Sequence, residues 1–159
     1  MDEKPAYAGV RRIVSGGQTG VDRGALDAAI ELGIEHGGWC PRGRLAEDGS
    51  IPARYQLTET SSGEYWVRTE QNVLDSDGTL ILYRRSLSGG TELTHRMALK
   101  HGKLDLPLDL LKSPDPAAAR DWIRCNKIEV LNVAGPRESS SPGIAHSATQ
   151  FLRDVFAHD

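Results

Sequence analysis

Paired metal-binding cysteines, apolar runs long enough to span a bilayer and an excess of positive charge are all missing from this chain. Its two cysteines, Cys40 and Cys125, stand far apart without metal spacing, which points to a reducing compartment. No apolar run approaches the roughly 18 residues of a membrane span, and no signal peptide precedes the first strand. A cytoplasmic protein with no membrane partner is expected. The net charge of −3 argues against a broad nucleic-acid surface, so no nucleic-acid partner is expected either. His36, His95, His101, His146 and His158 lack ligand spacing, and no metal site is predicted. Repeats, linkers and low-complexity tracts are absent as well. The 159 residues therefore read as one domain, 1–159, large enough to bury a core.

What is present is arginine and glycine. The basic residues divide into 14 Arg and 5 Lys, and the planar guanidinium fork suits phosphate, so the skew leans toward a small anionic ligand. The stretch Ser15-Gly16-Gly17-Gln18-Thr19-Gly20-Val21-Asp22-Arg23 lies between a short strand, Val10 to Val14, and a helix with Ala25, Ala28, Ala29 and Leu32 on one stripe. A strand-to-helix turn of this kind directs unpaired N–H groups at the positive end of a helix dipole. Glycine is also the default for tight turns, and Thr19 is a plausible helix cap. The glycines match neither the nucleotide-hydrolase P-loop nor the dinucleotide fingerprint.

Further along, His36 to Cys40 reads as a strand closed by Pro41, and Tyr55 to Leu57 as a minor strand. Ser61-x-x-Glu64 has the reciprocal capping pattern and opens a helix to about Leu74. Asp75-Ser76-Asp77-Gly78 is a turn, and Thr79 to Tyr83 is the apolar run of a buried parallel strand. Leu87 to Thr91 breaks into a helix ending near His101. Leu104 to Leu110 alternates, and Pro107 places it at a sheet edge. Ser113-Pro114 starts a helix to about Asn126, Ile128 to Ala134 is another strand, and Ile144 to Val155 forms the last helix. Trp66 and Trp122 read as core, and Cys40 as a packed thiol. Alternating strands and helices predict an α/β fold, a single doubly wound Rossmann-like domain with a mainly parallel sheet.

In such sheets ligands bind beyond the carboxyl ends of the strands. The glycine-bearing segments Gly16 to Gly20, Pro41 to Gly49, Ser88 to Thr91 and Gly135 to Gly143 all follow strands, so all are expected on one edge. Arg23, Arg42, Arg44, Arg84, Arg85 and Arg137 go with them. Asp75 to Gly78 precedes its strand and is read as structural.

Several motifs together resemble the molybdenum carrier family. They are the 15–23 segment; Gly37-Gly38-Trp39-Cys40-Pro41-Arg42-Gly43-Arg44 with Ala46-Glu47-Asp48-Gly49; Ile51-Pro52-Ala53-Arg54-Tyr55; Thr69 to Val73 with Asp75 to Thr79; Gly89-Gly90-Thr91 with Leu93-Thr94; and Asn132 to Ser139. The resemblance runs from about Ile13 to the C-terminal helix. It implies membership of a Rossmann-like group that includes the cytokinin-activating phosphoribohydrolases, a ligand of the molybdenum cofactor (molybdopterin) type, and assembly as a homotetramer. It also implies that Gly16, Gly17, Gln18, Thr19 and Gly20, then Gly89, Gly90 and Thr91 with Ser88, then Gly135, Pro136, Arg137, Glu138 and Ser139 line the ligand cleft.

Two functional classes follow. In one, the chain binds, protects or carries a phosphorylated pterin, or another phosphorylated small molecule. Gly17 to Gly20 and Gly90-Thr91 would hold the phosphate, Arg137 or Arg23 would supply counter-charge with Arg42 on the same edge, and Trp39 would lie against the flat ring. In the other, the chain hydrolyses a nucleotide, which requires a carboxylate placed to activate water or assist a leaving group. The phosphoribohydrolases supply a glutamate pair after their Gly-Thr; here Leu93-Thr94 stands in that place and Glu92 is one position off. Glu138 and Asp22 are the remaining carboxylates near glycine turns, and no catalytic residue is assigned. A nucleotide sensor would share the same site.

Overall fold

The computed structural model describes residues 6–157. In chain order its elements are β1 (Arg12–Val14), α1 (Val21–Leu32), β2 (Glu35–Gly37), β3 (Trp39–Cys40), β4 (Leu45–Ala46), β5 (Gly49–Ser50), β6 (Thr58–Glu59), α2 (Tyr65–Leu74), β7 (Gly78–Tyr83), α3 (Gly89–Lys100), β8 (Leu104–Asp109), α4 (Pro116–Cys125), β9 (Val130–Ala134) and α5 (Ile144–Phe156). A five-stranded sheet runs in the order β2-β1-β9-β7-β8, with every neighbouring pair parallel. This is the doubly wound, Rossmann-like α/β fold that the alternation of elements predicts. β9, last in the chain, lies in the centre of the sheet. β8 is an edge strand, with Pro107 in register with Ile81, as a residue lacking an N–H requires.

The two faces of the sheet differ in chemistry. On one, Ile13, Leu80, Leu82, Leu131 and Val133 pack against α1, α4 and α5 through Ala25, Ala28, Ile123, Ile144, Ala148 and Leu152. Strand alternation turns Thr79 and Asn132 to the opposite face, where Asn132 donates to Thr79 Oγ1 at 3.2 Å. There α2 and α3 contribute buried Thr69, Asn72, Thr91 and Thr94. Apolar burial dominates the first side, and the second mixes this hydrogen-bonded polar group with buried Val14, Val73, Ile81 and Ala98.

Several local expectations are corrected. The 36–40 segment is two strands, because Gly38 (φ 122°) turns the chain where a Cβ would overlap the Ser15 carbonyl. β2 joins the main sheet, while β3 pairs with Thr58–Glu59 rather than with the Tyr55–Leu57 segment. Tyr55 is instead a buried plug beside Leu26, Cys40 and Ile51. Its hydroxyl donates to Asp27 at 2.7 Å, and burial, with Asp27 adding to it, pushes its pKa up to about 12. α2 starts at Tyr65, not Ser61, since Ser62 Oγ takes the Glu64 N–H at 3.0 Å instead of capping a helix from position 61. α4 starts at Pro116, capped by Asp115 at 2.9 Å, because Ser113 adopts a left-handed conformation (φ 47°). Trp66 is 47% exposed rather than core, while Trp122 packs partly buried against the core. His158 lies outside the described residues. The Asp75–Gly78 turn is structural: Asp77 accepts the Glu129 and Val130 N–H groups at 3.0 and 2.9 Å.

Helices α1 and α5 approach closely through small residues. A Cβ on Gly24 would overlap the Ala145 carbonyl, and Thr149 Oγ1 donates to the Gly24 carbonyl at 2.8 Å. Gly24→Ala is expected to cost about 1–3 kcal/mol through overpacking, read as a lower urea midpoint. Gly63→Ala, whose Cβ meets nothing nearer than 3.7 Å, leaves the midpoint unchanged. Equal midpoints for the two variants would contradict this packing.

Candidate functional site

At the carboxyl edge of the sheet the ends of β1, β7 and β9 and the first turn of α2 enclose a cleft of about 320 Å³. One wall is the N-terminal turn of α3, Ser88 to Thr91. The second is Tyr65, Trp66 and Arg68 of α2, and the third is the β9–α5 loop with Gly135, Pro136 and Arg137. Gln18 and Asp22 form the floor.

The first turn of α3 is open. A Cβ on Gly89 or Gly90 would meet no atom within 4 Å. The Gly89 and Gly90 N–H groups find no acceptor among the described residues, as expected of a helix start without a capping side chain; Thr91 N–H already bonds the Ser88 carbonyl at 3.1 Å.

The β1–α1 turn is closed by the protein itself. A Cβ on Gly16 would sit 2.7 Å from the Arg68 guanidinium, and one on Gly20 would overlap the Pro136 carbonyl. The Gln18 N–H donates to Asp22 Oδ2 at 3.2 Å, and the Thr19 N–H to Gln18 Oε1 at 3.1 Å. Val21 N–H bonds the Pro136 carbonyl at 3.2 Å. Thr19 does not cap α1, whose N-cap is Gly20; its hydroxyl accepts the Glu138 N–H at 3.1 Å and donates to Glu47. Glu47, at the tip of the β4–β5 hairpin, also accepts the Ser139 N–H at 3.2 Å and the Ser139 hydroxyl. These hydroxyls hold its carboxyl below the usual range, Ser139 contributing most. Its neighbour Asp48 grips Arg23 through two bonds of 2.6 and 2.7 Å, and Arg23 also donates to the Gly17 carbonyl at 3.1 Å.

The remaining sequence-derived candidates divide in the same way. Gln18, Ser88, Gly89, Gly90, Thr91, Gly135, Pro136 and Arg137 line the cleft. Trp39 does not: its indole N–H donates to Asp75 at 2.6 Å, at the C-terminal end of α2, while the cleft lies at that helix's N-terminal end. Arg42 is exposed and lines no part of the cleft. Glu138 accepts the Gly143 and Ala145 N–H groups at 2.6 and 3.1 Å, fixing the start of α5.

Residues that sequence reasoning missed come mainly from α2. The Tyr65 ring stands between two guanidinium groups, Arg68 at 5.5 Å and Arg137 at 5.6 Å from its centroid, distances of cation–π contact. Arg137 has no ion-pair partner among the described residues. Arg68 Nη2 lies 3.9 Å from Asp22 and its Nη1 donates to Thr69 at 3.1 Å, but its buried Nε and the buried Nε2 of Gln18 have no partner. Unpartnered buried donors are uncommon and costly. Beneath them a polar void of about 10 Å³ among Asp22, Thr94 and Asn132 is of a size and polarity to hold a single water. Among the described residues no group of three or more His, Cys, Asp or Glu side chains could hold a metal ion, and no helix is long and apolar enough to cross a membrane.

Burial raises the Asp22 carboxyl above its ordinary value, opposed chiefly by the Arg68 guanidinium. The folded protein therefore holds this proton more tightly than the unfolded chain does. The stability that follows is complete below the unfolded carboxyl value and is lost as pH rises through the raised folded value. Asp22→Asn lacks this titration. The unfolding free energy of the variant minus that of the wild type is expected to increase between about pH 4 and about pH 7 in urea titrations. A difference independent of pH would contradict a buried, raised carboxyl.

Comparison with known proteins agrees with the fold and the motifs. Residues 13–156 match the family described as circularly permutated YpsA SLOG. Among solved structures, the 1.45 Å crystal structure of a "Putative molybdenum carrier protein" from Syntrophus aciditrophicus SB is 46% identical with a TM-score of 0.90, covering 97% of this chain and 98% of that one. No curated protein matches. The match spans the sheet, the helices and all three walls of the cleft, and the chain belongs to the circularly permutated YpsA SLOG family.

Proposed function

We propose that this protein binds and carries a small phosphorylated ligand in the carboxyl-edge cleft, and that the ligand is a phosphorylated pterin of the molybdenum cofactor type. The observation that carries this reading is the open Gly89–Gly90 turn, which faces Arg137, Arg68 and the Tyr65–Trp66 wall across one cleft. A helix start with free N–H groups receives a phosphate, a guanidinium without a carboxylate partner supplies the counter-charge, and aromatic rings at the rim stack on a flat heterocycle. Trp66 takes the ring-facing role that the sequence suggests for Trp39. The similar Syntrophus structure bears the description "Putative molybdenum carrier protein", and that link to molybdenum is the reason for choosing the pterin among phosphorylated molecules. A cytoplasmic homo-oligomer is part of the same reading.

Carriage rather than turnover is favoured by where the carboxylates lie. Glu92 is turned outward to Arg96, 3.8 Å away, and both oxygens of Glu138 serve the start of α5. Among the carboxylates of the described residues Asp22 alone lines the cleft, and its presence there is the specific observation that favours a second reading, nucleotide hydrolysis with Asp22 as the acid–base group.

Anaerobic titration with the molybdenum cofactor, alongside AMP and with product analysis, separates the two. Binding of the pterin in preference to AMP, without turnover, is expected; release of a base from AMP would establish hydrolysis instead. Gly90→Leu fills the cleft without touching the fold, so ligand binding is expected to vanish while the melting temperature holds. A collapsed melting temperature would make Gly90 structural. Arg137→Ala is expected to weaken the phosphorylated pterin about tenfold or more, the scale of one charged hydrogen bond, and to leave its dephosphorylated analogue unchanged. Equal weakening of both would remove Arg137 from the phosphate site.

A further inference from the structure

The floor of the cleft holds a carboxyl group where an anion is to be received. Asp22 is buried and lines both the cleft and the polar void beneath it. Its Oδ2 accepts the Gln18 N–H at 3.2 Å. Arg68 Nη2 stands 3.9 Å from the same oxygen, beyond hydrogen-bond reach, and the buried Arg68 Nε has no partner. The guanidinium thus faces Asp22 across a gap and keeps a donor unspent.

The other charged and titratable groups around Asp22 are few. α2 also brings the Tyr65 phenol, and the β9–α5 loop brings Arg137. Arg23 of α1 is gripped by Asp48. α3 and β9 present the neutral Thr91, Thr94 and Asn132. With Asp22 ionised, the cleft lining carries two guanidinium charges less one carboxylate, a net charge of +1. With Asp22 protonated, the same lining carries +2, which matches the charge of about −1.5 to −2 on a phosphate monoester. A phosphate and a carboxylate side by side disfavour each other's ionisation, and burial already favours the neutral carboxyl. The void gives the new O–H a place to donate, to a single water.

Resting on the phosphorylated-ligand reading above, we propose that the cleft exchanges one anion for another: Asp22 takes a proton from solvent as the phosphate enters and returns it as the phosphate leaves. Arg68 passes from the carboxylate to the ligand. Binding is then tightest at low pH. It weakens as pH rises through the value at which free Asp22 ionises, and levels off once the complex loses the same proton.

The carboxyl carbon chemical shift of Asp22, followed in the full chain between about pH 4 and about pH 9, reads this exchange directly. Titrations are run without ligand and with saturating phosphorylated pterin, kept anaerobic, or AMP. The midpoint is expected to lie at least about one pH unit higher with ligand bound. Calorimetry in buffers of different ionisation enthalpy gives a second readout. A phosphate monoester titrates alike in the wild type and in Asp22→Asn, so the difference between them isolates Asp22. The wild type is expected to take up more protons than the variant on binding, and its affinity relative to the variant to fall by up to about tenfold per pH unit. Because the carboxyl shift is read on the unaltered chain, poor folding of the variant leaves that arm intact. A midpoint unmoved or lowered by ligand, a free-protein carboxyl that does not titrate in this range, or equal proton uptake by the two proteins would overturn the exchange while leaving the cleft reading intact. Failure of both ligands to bind would overturn both.

Discussion

The fold depends on the direct approach of two backbone segments, the β1–α1 turn and the β9–α5 loop, with no side chain between them. A Cβ on Gly20 would overlap the Pro136 carbonyl, one on Gly24 the Ala145 carbonyl, and one on Gly135 the Leu82 carbonyl and the Val21 side chain. At this separation the Val21 N–H can bond the Pro136 carbonyl, and α1 and α5 can seat their alanines against one another over the sheet. The same approach brings β9, last in the chain, between β1 and β7, and so sets the floor and one wall of the cleft. The hairpin acids Glu47 and Asp48 then pin the outer side of this junction through Thr19, Ser139 and Arg23.

Once that junction is closed, protein atoms crowd its helix start, and its Gln18, Thr19 and Val21 N–H groups already face protein acceptors. The α3 start has no such neighbour. Its glycines have open space in front of them, and the groups across the cleft are guanidinium and aromatic rather than carboxylate. The polar face of the sheet completes the arrangement. Thr79, Asn132, Thr69 and Thr94 give the cleft a hydrogen-bonding base, in which Asp22 and Arg68 can be buried close to one another. An apolar face there would leave both without compensation.

Much of this architecture was legible in the sequence. The order of strands and helices, the edge position that Pro107 imposes on β8 and the gathering of glycine turns at one sheet edge all follow from pattern and chain direction. The choice between glycine turns was not legible. Glycine is required both where a backbone must touch another backbone and where N–H groups must be left bare, and only the position of Pro136, far along the chain, tells the two apart at Gly20. The aromatic wall was hidden for a similar reason. Trp66 and Tyr65 fall on a helix, where helical aromatics usually mean core, and no local signal shows that the first turn of α2 ends beside β9. Thr79 and Asn132 are single polar residues in otherwise apolar strands, and both strands read as simple buried runs.

The central claim is that the ligand's phosphate meets the first turn of α3 and not the glycine-rich turn after β1. Backbone amide chemical shifts, followed during anaerobic titration with the phosphorylated pterin, test it most directly. The account predicts that the largest changes fall on the Gly89, Gly90 and Thr91 amides, while Gly17, Thr19 and Gly20 move little. The largest changes at Gly17 to Gly20, with Gly89 and Gly90 unmoved, would contradict it.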